Sequence, residues 1–297
     1  MPDFVLYSIL AAIALGGYSV LIKIILRYRL CDAGLVTWGL GIGTGIVSLI
    51  VLIVGKYTFP TDALLATIKL AALALGAHWF LSRALQEGDA STVIPLLSLK
   101  IPLVAVLSIF ILGEHHTPRV YLAAVVAAIG VAMFGVGRQE RAQGGYGRHP
   151  FLAITLAFMS ALLYALLDQA AKQTLAYTSP VKLALWVNIM TACACLIMLL
   201  HPHYRPYRLA RLDLVLFLLG GGLMFGGIML FFHALDLSDG VTIPNIVLGT
   251  RGFFALLIGF TVGQALKIPM EKQPHKIYLL RIVGSILLLT GLVISLI

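Results

Sequence analysis

The chain reads as an all-α integral membrane protein with ten transmembrane helices arranged as two inverted five-helix repeats. Three observations predict this. Of its 297 residues, 60% are hydrophobic and only 11% charged, whereas a soluble domain carries roughly 25% charged residues. Apolar stretches of about 20 residues, the length that crosses a bilayer, follow one another with little sequence between them. Residues 84–92, ALQEGDAST, return as residues 234–242, ALDLSDGVT, at an offset of 150.

The stretches are 4–25, 34–55, 64–85, 92–112, 119–137, 151–173, 181–200, 213–234, 241–262 and 277–297. The first lacks a basic leading region and a clean cleavage site, so it is expected to be a retained helix rather than a signal peptide. It carries Tyr18, Ser19 and Lys23. The second holds Gly41, Gly43 and Gly45, a small-residue spacing that lets helices approach closely. The third carries His78 and Trp79. The fourth has Lys100 near its centre, between Pro95 and Pro102. Both prolines free backbone groups, which is tolerated at that depth only inside protein or beside a cavity. The fifth is apolar and closes the first repeat.

Residues 138–150, RQERAQGGYGRHP, are Gly-rich, polar and basic, and read as the connecting loop. The expected organisation is therefore a first repeat over 1–137, the loop over 138–150 and a second repeat over 151–297. The sixth stretch ends in Asp168, Gln169 and Lys172. The seventh holds Asn188, Thr191 and the Cys193-Ala-Cys195 sequence. The eighth holds Gly220 to Gly222, Gly226, Gly227 and His233. The ninth holds Asn245 and places Arg251 between Gly249 and Gly252. The tenth is again apolar.

Further pairs follow nearly the same offset: Pro95 with Pro244 and Lys23 with Lys172 at 149, Glu114 with Gln264 at 150, Lys100 with Arg251 at 151. Five helices per repeat is an odd number, so the second repeat must cross the bilayer upside down relative to the first. Inverted repeats of this kind build secondary transporters with a midplane site between the repeats.

The net charge of +9 follows the loops and is no signal for nucleic acid. With Lys100 and Arg251 set aside, 14 Lys and Arg flank odd-numbered loops and 5 flank even-numbered ones. The positive-inside rule then puts odd loops in the cytoplasm and both termini outside, in a prokaryotic inner membrane. Cys31, Cys193 and Cys195 form no disulfide framework, and the last two read as small packing residues. His115-His116 and His201-Pro-His203 have no third ligand nearby, so no metal is expected, and no cofactor.

The chemistry centres on Lys100 and Arg251. A charge at the middle of a span costs about 2.5–3.5 kcal/mol on insertion scales and marks a functional site. Two cations at matched depth suit an anion, and the planar fork of arginine grips a carboxylate or phosphate with two hydrogen bonds. The competing structural readings are an ion pair of Lys100 with Asp168 and an Arg251 capped by backbone carbonyls. Asp168 stands four residues before Lys172 and can pair with it on the helix surface, or can carry a proton. Tyr18, Ser19, Asn188 and Asn245 suit a polar cavity wall as well as interhelical hydrogen bonding. His78, with Trp79 beside it, and His233 add groups that titrate near neutrality.

The repeated Ala-Leu, proline and Gly-Glu pattern resembles the ten-helix EamA-type members of the drug/metabolite transporter superfamily. The family's first helix commonly carries Trp-Gly with a lysine seven residues after the glycine. Here Leu15-Gly16 precedes Lys23, so the lysine matches and the tryptophan does not. The Gly-Glu signature stands as Gly113-Glu114 and is altered to Gly263-Gln264 in the second half. The resemblance covers nearly the whole chain and implies a membrane transporter. Small multidrug-resistance relatives bind cations through a central first-helix glutamate, which this chain lacks, so a lipophilic-cation exporter is not expected.

Taken together, the sequence points to a secondary transporter of a small anionic or zwitterionic metabolite (an amino acid, organic acid or phosphorylated compound), working by alternating access. No nucleotide-binding GxxxxGK[ST] motif occurs, so a proton or other ion gradient, or exchange, supplies the energy; Asp168 and His233 are the coupling candidates. Membrane lipid is the surrounding partner. Two alternatives stand beside this reading. One is a flippase for a lipid or lipid-linked phosphate. The other is a membrane-embedded enzyme, for which His78, His233 and Asp168 are the available groups, without motif spacing.

Overall fold

A computed structural model describes residues 2–28, 32–87, 93, 96–135, 150–200, 210–265 and 275–296. Among these residues the chain is helical, with α1 (Asp3–Tyr28), α2 (Ala33–Gly55), α3 (Leu64–Glu87), α4 (Lys100–Ile111), α5 (Pro118–Gly135) and α6 (Pro150–Leu175). These are followed by α7 (Pro180–Leu199), α8 (Arg211–Leu237), α9 (Thr242–Leu248), α10 (Arg251–Ala265) and α11 (His275–Leu296). Of the sequence expectations, Pro95, the 138–149 part of the connecting loop, Cys31 and the His201 and His203 pair lie outside the described residues, as does the side chain of Lys23.

Seven stretches are long and apolar enough to cross a membrane, and the seventh runs from Thr242 to Gln264 across α9 and α10. Three shorter apolar helices, Lys100–Ile111, Pro118–Met133 and Ile286–Ser295, lie where the remaining expected spans fall. The outer surface is apolar: Leu65, Phe110 and Phe151 are each about four-fifths exposed. Lipid is the solvent that suits such a surface, since contiguous exposed apolar area of this extent marks a membrane or partner contact.

The interior combines buried large side chains such as Phe232, Leu185 and Leu235 with close backbone approaches between helices. A Cβ on Gly221 would stand 2.2 Å from the carbonyl carbon of Gly43, and one on Gly43 would stand 2.2 Å from the oxygen of Phe217. The glycines of α2 make the close approaches expected of them, as small residues must where no water drives helices together, whereas Gly222 and Gly226 face open space and Gly221 takes the contact instead. Cys195 packs its sulfur where a Cβ on Gly41 would fall, in keeping with a packing role.

The helices pair in a regular way. α1 packs on α8 and α10, α2 on α7 and α8, α3 on α6 and α7, α4 on α6, and α5 on α11. Exchanging α1 with α6, α2 with α7, α3 with α8, α4 with α10 and α5 with α11 converts each of these pairings into itself or another of them.

Two helices are interrupted at matching places. Ahead of α4, Leu96 and Leu97 are helical, Ser98 and Leu99 form a turn, and α4 opens on Lys100. Pro102 explains the break: it cannot donate to the Ser98 carbonyl four residues back, and its ring crowds that oxygen. The bonding tightens to the i−3 pattern, with Leu99 donating to Leu96 and Ile101 to Ser98 at 3.1 Å each. In the second half α9 ends at Leu248, Gly249 and Thr250 turn, and α10 opens on Arg251. Here Thr250 donates its backbone N–H and its hydroxyl to the Val247 carbonyl, which holds the chain in the tighter turn.

Candidate functional site

Each central cation is therefore the first residue of a helical segment that follows a break. Backbone N–H groups bond across both breaks, Ile101 to Ser98 and Leu103 to Leu99, Gly252 to Gly249 and Phe254 to Thr250, so each cationic side chain stands on a tightened turn. α1 presses on the second break: a Cβ on Gly16 would stand 3.0 Å from the Arg251 carbonyl oxygen. Gly249 leaves room for Ile101, whose terminal carbon would stand 3.1 Å from a Cβ there. The two breaks are thus neighbours in space.

Lys100 Nζ lies 2.7 Å from Asp168 Oδ2, with the lysine side chain 15% exposed and the aspartate 3%. The structural alternative weighed for Lys100 is thereby observed. The pairing of Asp168 with Lys172 is not: Lys172 Nζ donates to the carbonyls of Leu235 at 2.8 Å and Ser238 at 2.5 Å. It caps the C-terminus of α8, where a cation is favoured by unsatisfied carbonyls. Asp168 is left with Lys100.

Two aromatic rings complete the lysine's surroundings. Nζ sits 5.6 Å from the centroid of Phe231 and 5.9 Å from that of Tyr164, within cation–π range. The Tyr164 hydroxyl meets His78 Nδ1 at 2.9 Å. Sequence reasoning missed Tyr164 and Phe231. Tyr164 was open to detection, since it stands four residues before Asp168 and so on the same helix face.

Arg251 is only partly buried. It lies within electrostatic reach of Tyr164 and Asp168, yet has no hydrogen-bond or ion-pair partner among the described residues. A guanidinium has five N–H donors, and leaving them unmade at membrane depth is expensive. The carbonyl-capped alternative for Arg251 has no counterpart among the described contacts. What Arg251 offers is an open seat for an acceptor.

The other expected residues divide. Tyr18 on α1 is within electrostatic reach of Tyr164 and of Cys195 on α7, so it borders the same interior. Asn188 is buried, and its Nδ2 has no partner among the described residues. Ser19 spends its hydroxyl on the Leu15 carbonyl, and Asn245 donates to Val241 within its own helix. Trp79 is 42% exposed and meets Phe80 edge-on, without a described contact to the cluster. His233 stacks on Tyr7, with centroids 5.3 Å apart, which ties α8 to α1.

Glu114 has a defined task. Its carboxylate accepts from the Val241 N–H at 2.9 Å and from the Thr242 hydroxyl at 3.4 Å, and His116 Nε2 stands 2.8 Å away. A first-half residue thus caps the start of α9 in the second half. Glu114→Ala removes these acceptors and is expected to destabilise the protein by about 1.5–3 kcal/mol, the worth of a charged hydrogen bond. Glu114→Gln is expected to recover most of this loss. Thermal unfolding of the purified protein checks it, and an unchanged melting temperature in Glu114→Ala would remove the strut. A pocket of about 340 Å³ opens beside this strut, lined by Phe4, Glu114, His115, His116, Asp239 and Pro244 among others; neither Lys100 nor Arg251 lines it.

Comparison with known proteins adds the following. Residues 4–136 match the EamA-like transporter family, whose members are transporters. A solved structure described only as "Crystal structure of protein" shares the fold, with a TM-score of 0.74 over 99% of this chain and 95% of that one at 13% identity. No curated protein matches the chain.

Proposed function

We propose that this chain, whose residues 4–136 match the EamA-like transporter family, is a secondary transporter of small anionic or zwitterionic metabolites. The chain is an integral membrane protein. In this reading it crosses the membrane ten times, as inverted five-helix repeats over 1–137 and 151–297. The symmetric set of helix pairings and the matched interruptions ahead of Lys100 and Arg251 support it. The substrate's acid group sits between these two residues, near the midplane, and the repeats rock around it.

The observation that carries the proposal is Arg251: a guanidinium at membrane depth, on the first turn of an interrupted helix, without a described partner. Discontinuous helices whose N-termini point at anionic groups are a recurring device of transporter sites. Tyr18, Tyr164 and His78 neighbour the Lys100 pair and are the polar groups that a substrate held there would meet.

The experiment is uptake by the purified protein in proteoliposomes, using L-lactate, L-malate, L-glutamate, a hexose phosphate and inorganic phosphate as probes. Saturable uptake of at least one probe is expected; uptake of none, by protein that remains folded, would end this reading. The membrane in this reading is a prokaryotic inner membrane, and loop charge favours both termini outside. A reporter enzyme active only outside the cytoplasm is therefore expected to work when fused after Ile297, and activity of a cytoplasmic reporter alone would reverse the orientation.

A further inference from the structure

We propose that Asp168 is the resident anion of the transport site: it holds Lys100 while the site is empty, yields it to the substrate's acid group, and takes up one proton as it does so. This rests on the transport-site reading above.

The site has two cations and one carboxylate. Arg251 is the open seat and Lys100 the occupied one, with Asp168 at 2.7 Å. An acid that reaches Arg251 and then bridges to Lys100 competes with Asp168 for the ammonium. The displaced carboxylate has nowhere else to turn. Its side chain is 3% exposed, and no other donor reaches it among the described residues. Lys172, one turn further along α6, is engaged by the carbonyls of Leu235 and Ser238. Gln169 gives its amide to the Val104 carbonyl at 3.0 Å.

A carboxylate buried without a partner costs several kcal/mol, and such a group neutralises instead. The balance is simple: Asp168 carboxylate plus a proton from the aqueous phase in contact with the site gives the carboxylic acid, and departure of the substrate returns that proton. A monoanion then crosses together with one proton, as an electroneutral pair. Tyr164 stands one turn from Asp168 on the same face of α6 and bonds His78, which provides a hydroxyl and an imidazole beside the titrating group.

The groups that face Asp168 are Lys100 on α4, Tyr164 on α6 and Arg251 on α10; His78 on α3 reaches the cluster through Tyr164, Lys172 on α6 is turned to the Leu235 and Ser238 carbonyls, and His233 on α8 is stacked on Tyr7. Because binding takes up a proton, a fall in pH favours binding. Apparent affinity is expected to rise about tenfold per pH unit, the slope set by linkage of one proton to one ligand. In Asp168→Asn that slope is expected to vanish.

The test adds the same probes to purified protein in weakly buffered solution with a pH-indicating dye, alongside binding measured by calorimetry, and reads the proton count from L-lactate and L-glutamate, which exchange no proton of their own near neutrality. About one proton taken up per anion bound supports the proposal. Binding without proton uptake overturns it and leaves the transport site standing. Binding of no probe removes the transport site and this inference with it. Should Asp168→Asn not fold, infrared spectroscopy of the wild type with L-lactate, which is fully ionised near neutrality, decides: a protonated-carboxyl band appearing together with the proton uptake supports the switch, and proton uptake without that band assigns the proton elsewhere and overturns it.

Discussion

Arg251→Ala is expected to abolish measurable binding of acidic probes while leaving the empty protein as stable as the wild type or more so. The two halves of this result come from one fact. The guanidinium has electrostatic neighbours in Tyr164 and Asp168 but no hydrogen-bond or ion-pair partner among the described residues, so removing it breaks none of the described bonds and relieves a desolvated charge. Once an acid is bound, the same group supplies two charge-assisted hydrogen bonds in a site of low dielectric. At about 1.5–3 kcal/mol each, their loss weakens binding by a factor of at least about a hundred. Arg251→Lys keeps the charge and loses the planar fork, so it is expected to bind weakly rather than not at all. Calorimetry and thermal unfolding read the two halves separately. A large fall in melting temperature for Arg251→Ala would mean that the arginine holds helices together.

The second large effect concerns the Lys100–Asp168 pair. Lys100→Ala leaves a carboxylate with 3% side-chain exposure and no cation in contact, and is expected to cost about 3–5 kcal/mol of stability. Lys100→Met combined with Asp168→Asn removes both charges and keeps the volume, and is expected to recover most of that loss. The double variant discriminates between roles. If the pair served only to join α4 to α6, restoring the fold would restore anion binding as well. With Lys100 as a substrate ligand, the double variant folds and still fails to bind.

Much of this site was legible in the sequence because charge in a membrane span is rare enough to stand out. Lys100 and Arg251 needed no structure to be singled out, and the glycines of α2 marked a close helix contact without saying which helix supplies it. The helix interruptions were only half legible. Pro102 announces the break ahead of α4, but nothing comparable marks Gly249 and Thr250, since glycines in membrane helices usually serve packing. The partner of Asp168 was ambiguous for a physical reason: Lys172 at i+4 and Lys100 across the interface are equivalent by residue type, and the carbonyls of Leu235 and Ser238 that claim Lys172 belong to a distant helix end. Tyr164 could have been read from its place four residues before Asp168, whereas Phe231 escaped because nothing in an apolar span marks a ring that faces a cation from one that faces lipid. The task of Glu114 was hidden in the same way, since its acceptors' donors, Val241 and Thr242, lie 127 and 128 residues away.

The central claim is that an acid is carried between Arg251 and Lys100. Solute counterflow tests it most directly: proteoliposomes preloaded with an unlabelled probe acid are diluted into a trace of the labelled one. Wild-type protein is predicted to accumulate label transiently above equilibrium, and Arg251→Ala and the Lys100→Met, Asp168→Asn double variant to show none. Equal accumulation in the wild type and in Arg251→Ala would contradict the account.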